Sequence, residues 1–118
     1  AQEQRDYEQA RAHYQQALDI KIEFNDRYSQ ASTYGQLGLL AKVQEDYEQA
    51  QQHLLQALEI FVEFGDEQSM TIVFSNLARI YHITKSQQLV KKIGETLNIS
   101  VEQIIEYFDQ LSSNNSDS

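Results

Sequence analysis

The chain has 118 residues, enough for one domain, with no proline, no cysteine, four glycines and a formal net charge of −9 at pH 7. The missing cysteines exclude disulfides and thiolate zinc sites, and the negative charge repels nucleic acid over most of the surface. No apolar run approaches the roughly 20 residues of a membrane span and no signal peptide is visible, so no membrane role is expected and a cytoplasmic location is the default.

Residues 1–5, AQEQR, align with Ala41–Glu45, the end of a later helix, and read as the stub of a missing helix. On that reading the chain is a fragment of a longer repeat protein. Asp6 reads as an N-cap, with Gln9 completing a capping box. The helix that follows runs to about Phe24, with Tyr7, Ala10, Tyr14, Ala17, Leu18 and Ile22 at helical spacing. Asn25-Asp26 punctuates it. A second helix covers about Asp26–Gln44, where Ala31, Tyr34, Leu37, Gly38, Leu40 and Ala41 recur on one face. Glycine inside a helix costs up to about 1 kcal/mol against alanine, so Gly38 implies close helix–helix approach. Glu45-Asp46 turns the chain, and Asp46 with Gln49 repeats the capping box. The third helix, Tyr47–Phe64, points Tyr47, Ala50, Leu54, Ala57, Leu58 and Phe61 inward. Gly65 suits a left-handed C′ position, and Asp66 caps a fourth helix, roughly Glu67–Ile83. Beyond Ile83 the pattern breaks down. Ser86 caps a short helix carrying Leu89, Val90, Ile93 and Leu97, and Ser100 with Gln103 opens a last helix, Val101–Leu111. Residues 112–118, SSNNSDS, contain nothing apolar and are expected to be disordered.

Two of these helices are copies of one another. Asp6–Phe24 and Asp46–Phe64 align forty residues apart without a gap, and ten of the first fifteen pairs are identical. A helical segment repeated at a fixed period predicts a stacked array in which neighbouring repeats share one core, and hence an elongated molecule. The pattern resembles the tetratricopeptide repeat in a long form of about 40 residues per unit. Tyr34, Leu37, Gly38 and Ala41 stand at its helix A positions, and Ala50, Leu54 and Ala57 at its helix B positions. Ala10, Tyr14 and Ala17 supply the half-unit before, and Phe74, Leu77, Ala78 and Tyr81 the unit after. The family's proline near the end of helix B is missing, and Glu45 and Arg5 replace the usual turn glycine. The resemblance implies an all-α solenoid of antiparallel helix pairs, wound as a right-handed superhelix and closed by a C-terminal capping helix. Residues 1–83 then hold the second helix of one repeat, a full repeat and the first helix of a third. Residues 84–111 hold a degenerate repeat with capping helices.

The same resemblance implies a non-catalytic protein–protein interaction scaffold whose A helices line a concave groove for a peptide or partner protein. Gly35, Gln36, Leu39 and Lys42 on one A helix, and Ser75, Asn76, Arg79 and His82 on the next, are the expected binding residues. Flanking them on the same faces are Ser32 and Val43, and Ile72 and Ile83. Lys42, Arg79 and His82 place positive charge there in an acidic protein. Arg79 suits bidentate pairing with a carboxylate and Asn76 suits a peptide backbone, so the expected ligand is an acidic peptide clamped by Asn76 and Arg79. The carboxylate clamp of chaperone-binding members spreads Lys, Asn and Arg over three A helices. Only Asn76 matches it, and that specificity is not carried over.

Catalysis has little support: no nucleophile–base constellation and no glycine-rich phosphate loop shows, and neither a cofactor nor a metal is expected. His13 and His53 stand at equivalent places on adjacent helices, about 8–10 Å apart, too far for one metal with bonds near ~2 Å. Two alternatives remain. Residues 89–111, which open with LVKKIGETLNISVEQIIEYF, also resemble a DNA-binding helix-turn-helix, the mark of a DNA-binding regulator. Its second helix, however, carries Glu102, Glu106 and Asp109 and no Lys or Arg, the wrong sign for phosphate. The other alternative is a self-associating segment of a larger signalling protein, a homodimer through the C-terminal helix.

Overall fold

A computed structural model of the chain describes residues 2–116. Six α-helices occur among the described residues: α1 Gln2–Glu23, α2 Arg27–Val43, α3 Tyr47–Phe64, α4 Glu67–Thr84, α5 Gln87–Leu97 and α6 Val101–Ser116.

The turns follow a period of half a repeat. Asn25, Glu45, Gly65 and Lys85 all have positive φ, between 55° and 68°. The residue after each is the N-cap of the next helix: Asp26, Asp46, Asp66 and Ser86. Each cap side chain accepts from the backbone N–H three residues on, which satisfies one of the orphan donors of the first turn. The left-handed residue reverses the chain and the cap restarts it, so one two-residue device, spaced twenty apart, builds every reversal as far as α5.

Helix α3 is the centre of the stack. It packs against α2, α4 and α5. Its Ala50, Ala57 and Leu58 are fully inaccessible, and Leu54 and Ile60 nearly so. The small residues have a specific role. A Cβ added to Gly38 of α2 would stand 2.7 Å from Leu54 Cγ and 3.2 Å from the Ala50 carbonyl oxygen, so α2 and α3 meet at the distance only glycine allows. The α1–α2 seam is partly polar. There Lys21 Nζ donates to the buried Thr33 hydroxyl at 2.6 Å and to the Ser29 carbonyl at 3.3 Å. Beyond α4 the period fails because α5 is short. Asn98, also at positive φ, turns the chain into α6, and Ser100 accepts from the Gln103 N–H. Helix α6 then lies on α4 and α5. Its Ile104 and Phe108 are fully buried, and the Phe108 ring sits 4.9 Å from Phe74 and 5.4 Å from Tyr81.

Three expectations need correction. Helix α1 does not start at Asp6. It is continuous from Gln2, and Arg5-Asp6, the same register position as Glu45-Asp46, lies inside it. A reversal is stable only when the arms on both sides pack, and no described helix precedes α1 to pack against, so helical hydrogen bonding carries straight through. Helix α6 continues to Ser116, past the expected end at Leu111, because propagation of a formed helix is easy even without apolar side chains. The remainder of the expected disordered tail lies outside the described residues. The molecule is also not elongated. Its extents are 37 × 36 × 27 Å, because the stack is about as long as one 18-residue helix, roughly 27 Å, is tall.

Candidate functional site

A cavity lies between facing sides of α2 and α4. Ser32, Gly35, Gln36 and Leu39 of α2 lie one helical turn apart in a row, opposite Ser69, Ile72, Val73 and Asn76 of α4. Leu54 and Phe61 of α3 close the bottom. The cavity is about 240 Å³ and mainly apolar. At its rim Leu39 is 40% exposed and Ile72 57% exposed. Gly35 is the informative position. A Cβ built there meets nothing within 4 Å, unlike one at Gly38 three residues on. A glycine inside a helix weakens it by up to about 1 kcal/mol, and no packing demands this one; its effect is to keep the groove open.

The rim is braced at the start of α2. Arg27 Nε donates to Glu63 Oε2 at 2.9 Å, and the Tyr28 hydroxyl donates to Asp66. The Tyr28 ring packs edge-on against Phe61 and Phe64. Hydrogen bonds from Tyr28 and then Ser69 hold the Asp66 carboxyl below the usual carboxylate range, and the same bond pushes the Tyr28 phenol up. Because Asp66 is also the N-cap of α4, its side chain ties α2 to the start of α4, while its backbone N–H donates to the Phe61 carbonyl of α3. Sequence reasoning missed this brace. The aromatic Tyr28 just inside the helix start was the available signal.

At the far end, Lys42 follows Leu39 by one turn on α2, and Arg79 follows Asn76 by one turn on α4. Lys42 Nζ lies 3.5 Å from Asn76 Oδ1. Burial lowers the Lys42 pKa from the ordinary lysine value, and the like charge of Arg79 lowers it further. Asn76 Nδ2 donates to the Ile72 carbonyl of its own helix at 3.0 Å. Both ends of that amide are therefore occupied inside the protein. The structure brings Gly35, Gln36, Leu39 and Asn76 together along the groove, with Lys42 and Arg79 at its end.

Two of the eight expected residues lie elsewhere. Ser75 lines a second, larger cavity of about 470 Å³ between α4 and α6, with Leu58, Met70, Phe74, Leu97, Ile99, Tyr107 and Leu111. His82 is half-buried under α6, its Nε2 3.2 Å from the Phe108 carbonyl oxygen and its ring edge-on to Tyr81 and Phe108. Both displacements have one cause. Helix α6 comes back over α4, and covers a face that a regular array would leave open.

His53 stacks on Tyr34 at 6.2 Å, and among the described residues no group of three or more His, Cys, Asp or Glu could hold an ion. No described helix is long and apolar enough to cross a membrane. The exposed side of α6 carries Glu102, Glu106 and Asp109, so phosphates approaching it would meet like charge.

Comparison with known families agrees with this architecture. A family model described as tetratricopeptide repeat matches residues 1–61 and, overlapping, residues 29–89. No curated protein and no solved structure matches the chain.

Proposed function

Because the chain belongs to the tetratricopeptide-repeat family, whose repeats generally mediate protein–protein interactions, we propose that it is a non-catalytic interaction module binding a peptide segment of a partner in the α2–α4 groove. The observation that carries this reading is Gly35. It is a helix-interior glycine with open space above it, in the middle of an apolar groove braced at one end. A preformed pocket of this size suits one or two side chains of an extended or helical peptide, and needs no rearrangement to admit them.

The test is selection from a random displayed-peptide library against the wild-type chain, followed by binding of the selected peptides to Gly35→Phe. Circular dichroism checks that the variant is folded, as expected where an added Cβ touches nothing. Peptides that bind through the groove lose at least about tenfold in affinity, some 1.4 kcal/mol, when the phenylalanine fills it. Selected peptides that bind both proteins equally contradict the proposal.

A further inference from the structure

The cavity between α4 and α6 is separate from the α2–α4 groove, and no residue lines both. At about 470 Å³ it falls within the size range of small-molecule sites, about 300–1,000 Å³. Its apolar part is already formed. Leu58 of α3 lines it and is fully inaccessible. The Phe74 ring is held edge-on to Tyr107 at 6.3 Å and against Phe108 at 4.9 Å. Leu97 and Ile99, where α5 turns into α6, add further apolar surface.

The polar lining is charged with one sign. Glu67, Thr71 and Ser75 of α4 recur every four residues, so they form one row along the helix. Glu67 is exposed, and no Lys, Arg or His lines the cavity beside it. Among the described residues the ion pair present is Arg27–Glu63, so no side-chain cation neutralises Glu67. The Thr71 hydroxyl donates its proton to the Glu67 carbonyl at 2.9 Å, which leaves only the lone pairs of its oxygen for a ligand. Glu67 and Thr71 stand one turn apart, with Cβ atoms about 5–6 Å from each other, and so present two acceptors to one group. A group that answers both must donate at least two hydrogen bonds, and a chain of net charge −9 favours it positive. An ammonium meets both demands, with three donors on one charge. A carboxylate would meet like charge, and a second copy of this acidic chain would bring more of it.

We propose that the α4–α6 cavity binds a small cationic amphiphile. Its ammonium is shared by the Glu67 carboxylate and the Thr71 oxygen, and its apolar body lies against Met70, Phe74 and Leu58. This goes beyond the groove reading and does not depend on it.

The experiment titrates the full chain with phenylbutylammonium, phenylbutanol and phenylbutanoate, which differ in the head group alone, and follows backbone amides by two-dimensional NMR. The expected result is that the ammonium, at millimolar concentration or below, shifts amides within Glu67–Ser75, Leu97–Ile99 and Tyr107–Leu111. The alcohol binds about tenfold more weakly and the carboxylate more weakly still. Glu67→Gln brings ammonium and alcohol to within about threefold of each other, and Thr71→Val weakens the ammonium about fivefold. Thr71→Phe, at an exposed helix position that tolerates the change, fills the cavity and abolishes binding, while Gly35→Phe leaves it unchanged. Equal affinity for the three probes overturns the proposal. So do shifts scattered outside the cavity, binding to Thr71→Phe as tight as to wild type, or no binding by any probe. A peptide with Lys beside Phe that shifts the cavity amides where the free ammonium does not makes this a protein-docking face, and overturns it too.

Discussion

Two related nineteen-residue stretches, identical at twelve positions, occupy two places in this molecule and behave differently in each. In α3 it is the centre of the core, while in α1 it is a flank. Ile60 is 1% exposed and its counterpart Ile20 is 54% exposed. Asp46 caps a helix by accepting from the Gln49 N–H at 3.2 Å, while Asp6 sits inside one. Glu45 adopts φ of 64° to reverse the chain, while Arg5 at the same register position is helical. Ile20/Ile60 and Asp6/Asp46 are identical pairs, so the differences at those positions come from neighbours. The repeated residues specify a helix that is able to cap, turn and pack, and adjacent helices decide whether it does.

That comparison is open to mutation at matched positions. The largest contrast is expected in the core. Ile60→Ala should lose about 2–5 kcal/mol from a cavity among fully packed neighbours, whereas Ile20→Ala should stay within about 0.5 kcal/mol. Urea midpoints of the two variants decide it, and similar losses would show that α1 is packed after all. A middle-sized contrast belongs to the caps. Asp46→Ala should lose about 1 kcal/mol, and Asp6→Ala none, because only the first removes an acceptor from a helix start. The turn contrast is smaller and reverses sign. Glu45→Gly should gain roughly 0.5–1 kcal/mol by relieving a left-handed conformation, while Arg5→Gly should lose up to about 1 kcal/mol inside a helix.

The smallest effect expected is a pH dependence confined to α3. His53 is half-buried against Tyr34 with its Nδ1 unpartnered, and burial lowers its pKa despite opposing effects from Gln56 and Asp46. The folded state thus favours the neutral ring. Between the folded pKa and the ordinary value near ~6.5, the unfolded chain binds more protons. Stability contributed by neutral His53 is complete above that ordinary value and is lost as pH falls through the interval to the folded pKa. Denaturation midpoints from pH 8 to pH 5 should decline less in His53→Leu than in wild type, and parallel curves would assign the pH response to other groups.

Much of the fold was legible because its signals are local. The caps Asp26, Asp46, Asp66 and Ser86, the left-handed Gly65 and the apolar stripes of α2 to α4 each act within one or two turns, and a single sequence displays them. What was not legible depends on contacts between distant segments. Nothing in DYEQ says whether a preceding helix is there to pack, so the passage of α1 through Asp6 could not be read. On α4, the setting of His82 and Ser75 beside α6 could not be read, because the return of α6 follows from the shortening of α5 to 11 residues. The occupation of Asn76 was hidden for a similar reason, since Lys42 reaches it across thirty-four residues. Gly35 and Gly38 look alike in the sequence, and only the structure separates the glycine that lets helices meet from the glycine that leaves a surface open.

The central claim is that neighbours, and not the repeated residues themselves, decide the stability of each copy. Native-state amide hydrogen exchange of the 118-residue chain measures this most directly, because equivalent amides carry nearly the same intrinsic rates. The account predicts that amides of Leu54–Leu58 exchange at least about a hundredfold more slowly than those of Tyr14–Leu18, a difference near 2.7 kcal/mol in opening free energy. Equal protection in the two copies would contradict it.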